Sequence, residues 1–155
     1  MLGWYCGLRI SEAFAITWDD IDFENKTLNI DKQIVKRNFG LEEKVRLKYT
    51  KNNAMSGWYF TPPKYDSCRV IKIGDQLLSI LANEKERQAK NEEKYGEYYT
   101  TYVAIEEKDE KGNQITRIVP IQKCISTNHA QLKFVCLDEN GIHSTTDTFK
   151  YAARV

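Results

Sequence analysis

Gly7-Leu8-Arg9-Ile10-Ser11-Glu12-Ala13 sets an arginine and a glutamate in a stretch that otherwise reads as buried helix. Leu2, Leu8, Ala13 and Ile16 flank it at roughly helical spacing, which predicts one helix from Leu2 to Thr17. An arginine is almost never fully buried without a partner. Glu12 follows Arg9 by three positions, so a helix places both on one face. On spacing alone the pair reads as a surface ion pair, which stabilises by about 0.2–0.5 kcal/mol.

Trp18-Asp19-Asp20-Ile21-Asp22 reads as a turn, because aspartates bond their own backbone. Thr27 to Val35 alternates as a single strand. Asn38-Phe39-Gly40 marks a turn, and Leu41 to Gly57 is polar, basic and poorly periodic, as in a loop or hairpin extension. Trp58 to Thr61 is strand-like and Pro62-Pro63 stops it, since proline cannot donate to a ladder. Cys68 to Ile73 alternates again and is expected to pair with that preceding strand. Asp75 reads as the N-cap of a helix whose apolar face is Leu77, Leu78, Ile80 and Leu81, running toward Tyr95. Tyr102 to Ile121 predicts a hairpin turning at Asp109 to Asn113, Leu132 to Leu137 a short strand, and Ser144, Thr145 or Thr146 the cap of a final helix through Phe149, Tyr151 and Val155. The sum is an α+β chain of one domain, with helices beside a small antiparallel sheet.

A length of 155 residues suffices for one core. No apolar run approaches a membrane span and no basic-then-apolar leader opens the chain, so cytoplasmic residence is expected. Cys6, Cys68, Cys124 and Cys136 form no C-x-x-C pair and read as reduced thiols. Cys124, His129, Cys136 and His143 are spaced too widely for a usual zinc site, and no metal is expected. His143 reads as a turn residue. The net charge of +1 does not announce a nucleic-acid binder, but its distribution is uneven. Residues 31–73 carry 10 basic and 4 acidic side chains, whereas residues 1–30 and 74–114 are net negative. Lys36, Arg37, Lys44, Arg46, Lys48 and Arg69 all lie in that basic segment, which could neutralise phosphates locally. A solvated charged loop would look the same.

Trp4 to Ala13, continued by Ile16-Thr17-Trp18-Asp19-Asp20-Ile21-Asp22, resembles the catalytic domain of the tyrosine recombinases, in particular phage and conjugative-transposon integrases. Thr61-Pro62-Pro63-Lys64 followed by Ser67-Cys68-Arg69-Val70-Ile71-Lys72-Ile73 resembles the hairpin of that family whose lysine enters the active site. The resemblance implies that Arg9 contacts a scissile phosphate, that Glu12 helps to hold it, and that Lys64 serves as an acid. Those types suit the work: a guanidinium engages two phosphate oxygens while staying charged, and an ammonium on a flexible stem can deliver a proton. It also implies a tyrosine nucleophile that forms a 3′-phosphotyrosine, no cofactor, double-stranded DNA as partner, and a tetramer of the parent protein on DNA.

The family pattern continues with H-x-x-R and then the tyrosine. His129 and His143 are followed three residues on by Leu132 and Thr146, so neither fits, and no tyrosine here stands in the nucleophile's context. Residues 1–155 are therefore expected to be a partial catalytic domain. It would lack the N-terminal DNA-binding domains and the H-x-x-R and tyrosine part, and would be inactive alone. A non-catalytic DNA-binding remnant of a prophage integrase is the alternative, and an interaction domain with solvated charges a third.

Overall fold

The computed structural model describes residues 2–38, 56–108, 112–145 and 148. The helix expected from Leu2 to Thr17 is interrupted. Helix α1 spans Leu2–Cys6 and ends at Gly7, whose φ of +60° is the left-handed conformation that terminates helices. Arg9 is extended, and α2 is a single turn, Ile10–Ala13. The arginine thus stands at the entrance to α2 rather than inside a helix.

Among the described residues the strands form two antiparallel sheets. In the first, β1 (Ile21–Asp22), β2 (Thr27–Ile30) and β5 (Arg69–Lys72) lie in that order. The second has the order β3 (Gln33–Asn38), β4 (Ser56–Thr61), β7 (Gln114–Gln122), β6 (Thr100–Lys108), β8 (Ala130–Leu132). The run Thr27–Val35 is therefore two strands, broken at Asp31-Lys32 and sent to different sheets. Nor does β5 pair with β4: it pairs with β2, setting Ile30 opposite Arg69 and Leu28 opposite Ile71. Strands β3 and β4 pair with each other and leave for the second sheet, which they join through β4 and β7. Lys64 accordingly lies on a connector between sheets and not on a simple hairpin. The hairpin of β6 and β7 is as expected. Of Leu132–Leu137 only the first residue belongs to a strand.

Helix α3, Asp75–Tyr95, is capped by Gly74, with Asp75 one position inside. It lays Leu77 and Leu81 on a core shared with Leu8, Ile16, Leu28, Ile30 and Val135. A second core gathers Ala15, Ile34, Tyr102, Ile118 and Phe134. The segment after α2 joins the two: Trp18 N–H donates to Lys133 O at 2.9 Å and Val135 N–H to Ile16 O at 3.1 Å. Gln88 of α3 reinforces the joint, accepting from Trp18 Nε1 at 2.9 Å and donating to Val135 O at 2.8 Å. The Trp18–Asp20 turn is closed by the buried Asp20 carboxylate, which accepts from Thr17 N–H at 2.7 Å and Thr17 Oγ1 at 2.8 Å. His143 is buried rather than turn-exposed and bridges to Leu137. The loop 41–55, the Phe39-Gly40 and 109–111 turn residues, and the final helix expected toward Val155 lie outside the described residues, apart from its start.

Gly141 has a φ of +80°, and a Cβ there would meet Thr100 O at 2.4 Å. Gly141→Ala is therefore expected to cost at least about 1–2 kcal/mol from the backbone conformation alone. Urea unfolding of the variant measures it; unchanged stability would mean that this turn is placed differently.

Candidate phosphate-binding site

Glu12 organises the site. Its carboxylate is fully buried, and a buried charge requires partners. Arg9 supplies two bonds, from its backbone N–H at 3.0 Å to Oε2 and from Nη1 at 2.9 Å to Oε1. The first of these is half of a helix capping box, so the bond that orients Glu12 also starts α2. Arg69 supplies more, with Nη2 at 2.9 Å from Oε2 and Nη1 at 3.4 Å from Oε1. Burial alone would raise the Glu12 pKa; hydrogen bonds from Arg69 and Arg9 outweigh it and hold the carboxyl below its ordinary value. The bond to Glu12 in turn raises the pKa of Arg69.

Ser67 connects this pair of arginines to Lys64. Its Oγ accepts from Arg9 Nη1 at 3.3 Å and donates to Lys64 O at 3.1 Å, while its carbonyl accepts from Arg69 Nη1 at 3.1 Å. A second tie runs from α2: Ser11 Oγ donates to Gln33 Oε1 at 3.2 Å, and Gln33 Nε2 donates to Pro62 O at 2.9 Å. The short 3-10 turn Lys64–Asp66 is thus anchored to α2 on both sides. Tyr65 and Asp66 in that turn have φ of +64° and +47°, a region that costs a non-glycine residue about 1–3 kcal/mol. Lys64 is exposed, with Nζ 5.1 Å from the centroid of the Tyr65 ring.

The structure therefore brings Arg9, Glu12, Arg69 and the Lys64 turn together. Lys36 and Arg37 are elsewhere, on β3, exposed and set over the rings of Trp58 and Tyr59 on β4. Lys44, Arg46 and Lys48 lie outside the described residues. Ser67 had no role in the sequence reading, and neither did Arg69 as a partner of Glu12. No signal in the spacing pointed to them, because the burial of Glu12 that calls for further donors is set by residues distant in sequence.

Of the described tyrosines, Tyr59, Tyr99 and Tyr102 are buried. Burial raises the phenol pKa of Tyr99 and Tyr102, and the Tyr102 hydroxyl accepts from His143 N–H at 2.8 Å. Among the described residues no cluster of metal-ligating side chains forms, and no helix is long and apolar enough to cross a membrane.

The surface that results is an arginine aimed by a buried carboxylate beside a lysine on a constrained turn, a geometry suited to an oxyanion. The model of the phage integrase family matches residues 1–116. A tyrosine recombinase XerC-like protein of Caldanaerobacter subterraneus subsp. tengcongensis is 30% identical over 99 residues, which is 64% of this chain and 24% of that protein. This chain thus spans about a quarter of that relative's length. The fold is similar to that of the Tn1549 transposon integrase in complex with transposon right end DNA, at a TM-score of 0.51 and 21% identity, over 96% of this chain and 32% of that one. The same integrase with a circular intermediate DNA gives a TM-score of 0.51 and 20% identity, over 97% and 33%. The chain belongs to the phage integrase family, the tyrosine recombinases.

Proposed function

We propose that this chain carries the phosphate-activating half of a site-specific DNA recombinase that acts in integration or excision. The observation that carries the reading is the Arg9 guanidinium: Nη1 is held by Glu12 and Ser67, while Nε and Nη2 have no protein partner among the described residues. That free edge can donate two hydrogen bonds to one phosphate, and a guanidinium matches phosphate oxygens bidentately. In the reaction a tyrosine oxygen attacks phosphorus, the bond to the 5′-oxygen breaks, and a 3′-phosphotyrosine forms. Arg9 stabilises the charge that builds on the non-bridging oxygens. Lys64 gives its proton to the departing 5′-oxygen. In the reverse step the 5′-hydroxyl attacks and the tyrosine leaves, so the phosphodiester is restored without net hydrolysis. Lys36, Arg37, Lys44, Arg46 and Lys48 contact the DNA backbone, and the parent protein assembles as a tetramer on double-stranded DNA.

The 155 residues contain no H-x-x-R and none of their tyrosines is assigned as nucleophile. We expect this chain to bind duplex DNA and not to cleave it. Fluorescence anisotropy of a labelled duplex should give a Kd of roughly 10⁻⁴–10⁻⁶ M, weakening by about 0.9 decades per decade of salt for each phosphate contact. Arg46→Gln with Lys48→Gln should reduce that slope by about two such contacts. Binding that is absent at low salt, or indifferent to salt, contradicts the reading. On a nicked suicide substrate no covalent protein–DNA band should appear in a denaturing gel; a covalent band would show that the nucleophile is present here.

A further inference from the structure

Arg69 and Arg9 share one carboxylate but use it differently. Both terminal nitrogens of Arg69 face inward, Nη2 to Glu12 Oε2 at 2.9 Å and Nη1 to Ser67 O at 3.1 Å. Arg9 commits only Nη1 to side-chain partners and is the more exposed of the two, 49% against 32%. Glu12 is fully buried and cannot balance both cations, so the group of three carries one net positive charge.

We propose that Arg69 is a positioning residue, acting through Glu12 and Ser67 to keep the free edge of Arg9 turned outward, and is not itself a DNA contact. The inference rests on the functional reading above for the identity of the anion, but not for the coupling between the two arginines. Without Arg69, Glu12 Oε2 keeps only the Arg9 backbone N–H. A buried carboxylate oxygen then draws the second arm of the Arg9 guanidinium toward itself. The remaining Arg9–Glu12 pair is neutral overall, and the edge left for phosphate is lost. The Ser67 carbonyl is released at the same time, which loosens the residue that links Arg9 to the Lys64 turn.

A double-mutant cycle on the 155-residue chain tests this, with Arg69→Gln, Glu12→Gln and the double variant, read by anisotropy with one labelled duplex at fixed low salt. Alone, Arg69→Gln should weaken binding about 5–10-fold; in the Glu12→Gln background it should change Kd by less than about two-fold, because coupled residues are not additive. Equal losses in both backgrounds would make Arg69 a direct DNA contact and overturn the proposal, as would no loss in either. The Arg9 Nε–Hε NMR signal of the free protein gives a readout that needs no DNA. It should move in Arg69→Gln, and an unmoved signal overturns the coupling. Failure of the unmodified chain to bind DNA would sink the functional reading, while the Arg9 signal still judges the coupling. If Arg69→Gln does not fold by circular dichroism, Arg69→Lys replaces it in the same cycle with the same criteria.

Discussion

Phe134→Ala should destabilise the protein by about 3–5 kcal/mol, the range for removing a large buried aromatic side chain. Phe134 is fully buried, and its ring centroid lies 5.9 Å from Phe60, 5.4 Å from Tyr102 and 4.1 Å from His143. Those neighbours come from β4, β6 and the chain after β8, so collapse around the cavity would require several elements to move together. Its backbone also bridges to Thr17, just beyond α2. At roughly 2–4 °C per kcal/mol for a chain of this size, the melting temperature should fall by about 10 °C. Thermal and urea unfolding measure the loss; a change under 1 kcal/mol would mean that this ring is not packed at the centre of the second core.

Acidification should cost nearly as much through a single residue. His143 donates Nε2–H to Phe14 O at 2.7 Å, in the turn that follows α2. Burial lowers its pKa to about 4, against a smaller raising effect of that hydrogen bond. The unfolded chain takes up a proton near pH 6.5, whereas the native state stays neutral until about pH 4. The unfolded state therefore binds more protons throughout that window, and stability falls as pH falls through it. The full loss is about 3 kcal/mol, most of it complete by pH 4.5. Glu12 adds to the loss at still lower pH, because its depressed pKa stabilises the fold only while it is ionised. His143→Gln should flatten the profile between pH 7 and pH 4.5, and an unchanged slope in that variant would place the titration on another group.

Some of the fold was legible in the residues, and the exceptions have physical causes. Alternation located the β6–β7 hairpin, and apolar spacing located α3, because both are local patterns. The break at Gly7 was hidden because Leu2, Leu8, Ala13 and Ile16 keep a helical spacing across it. Likewise Leu28, Ile30 and Ile34 share one parity, so alternation could not reveal that β2 and β3 part at Asp31-Lys32. The pairing of β5 with β2 spans some forty residues; sequential strands are neighbours about two-thirds of the time, and this one is not. At the site, Arg9, Glu12 and Lys64 are marked by the resemblance of their two motifs to those of the tyrosine recombinases, whereas spacing alone leaves Arg9 and Glu12 as a surface ion pair. What spacing could not reveal was the burial of Glu12. That depends on Arg69, 57 residues away, closing over its second oxygen.

The outward edge of the Arg9 guanidinium is the atom group on which phosphate binding depends. The most direct test of that dependence is side-chain 15N NMR of the arginines during titration with duplex DNA. The Arg9 Nε–Hε signal should shift and saturate with the same Kd as the anisotropy measurement, while that of Arg69 stays near its free-protein position. DNA binding that leaves Arg9 unmoved and perturbs only other arginines would contradict the assignment of this surface as the phosphate site.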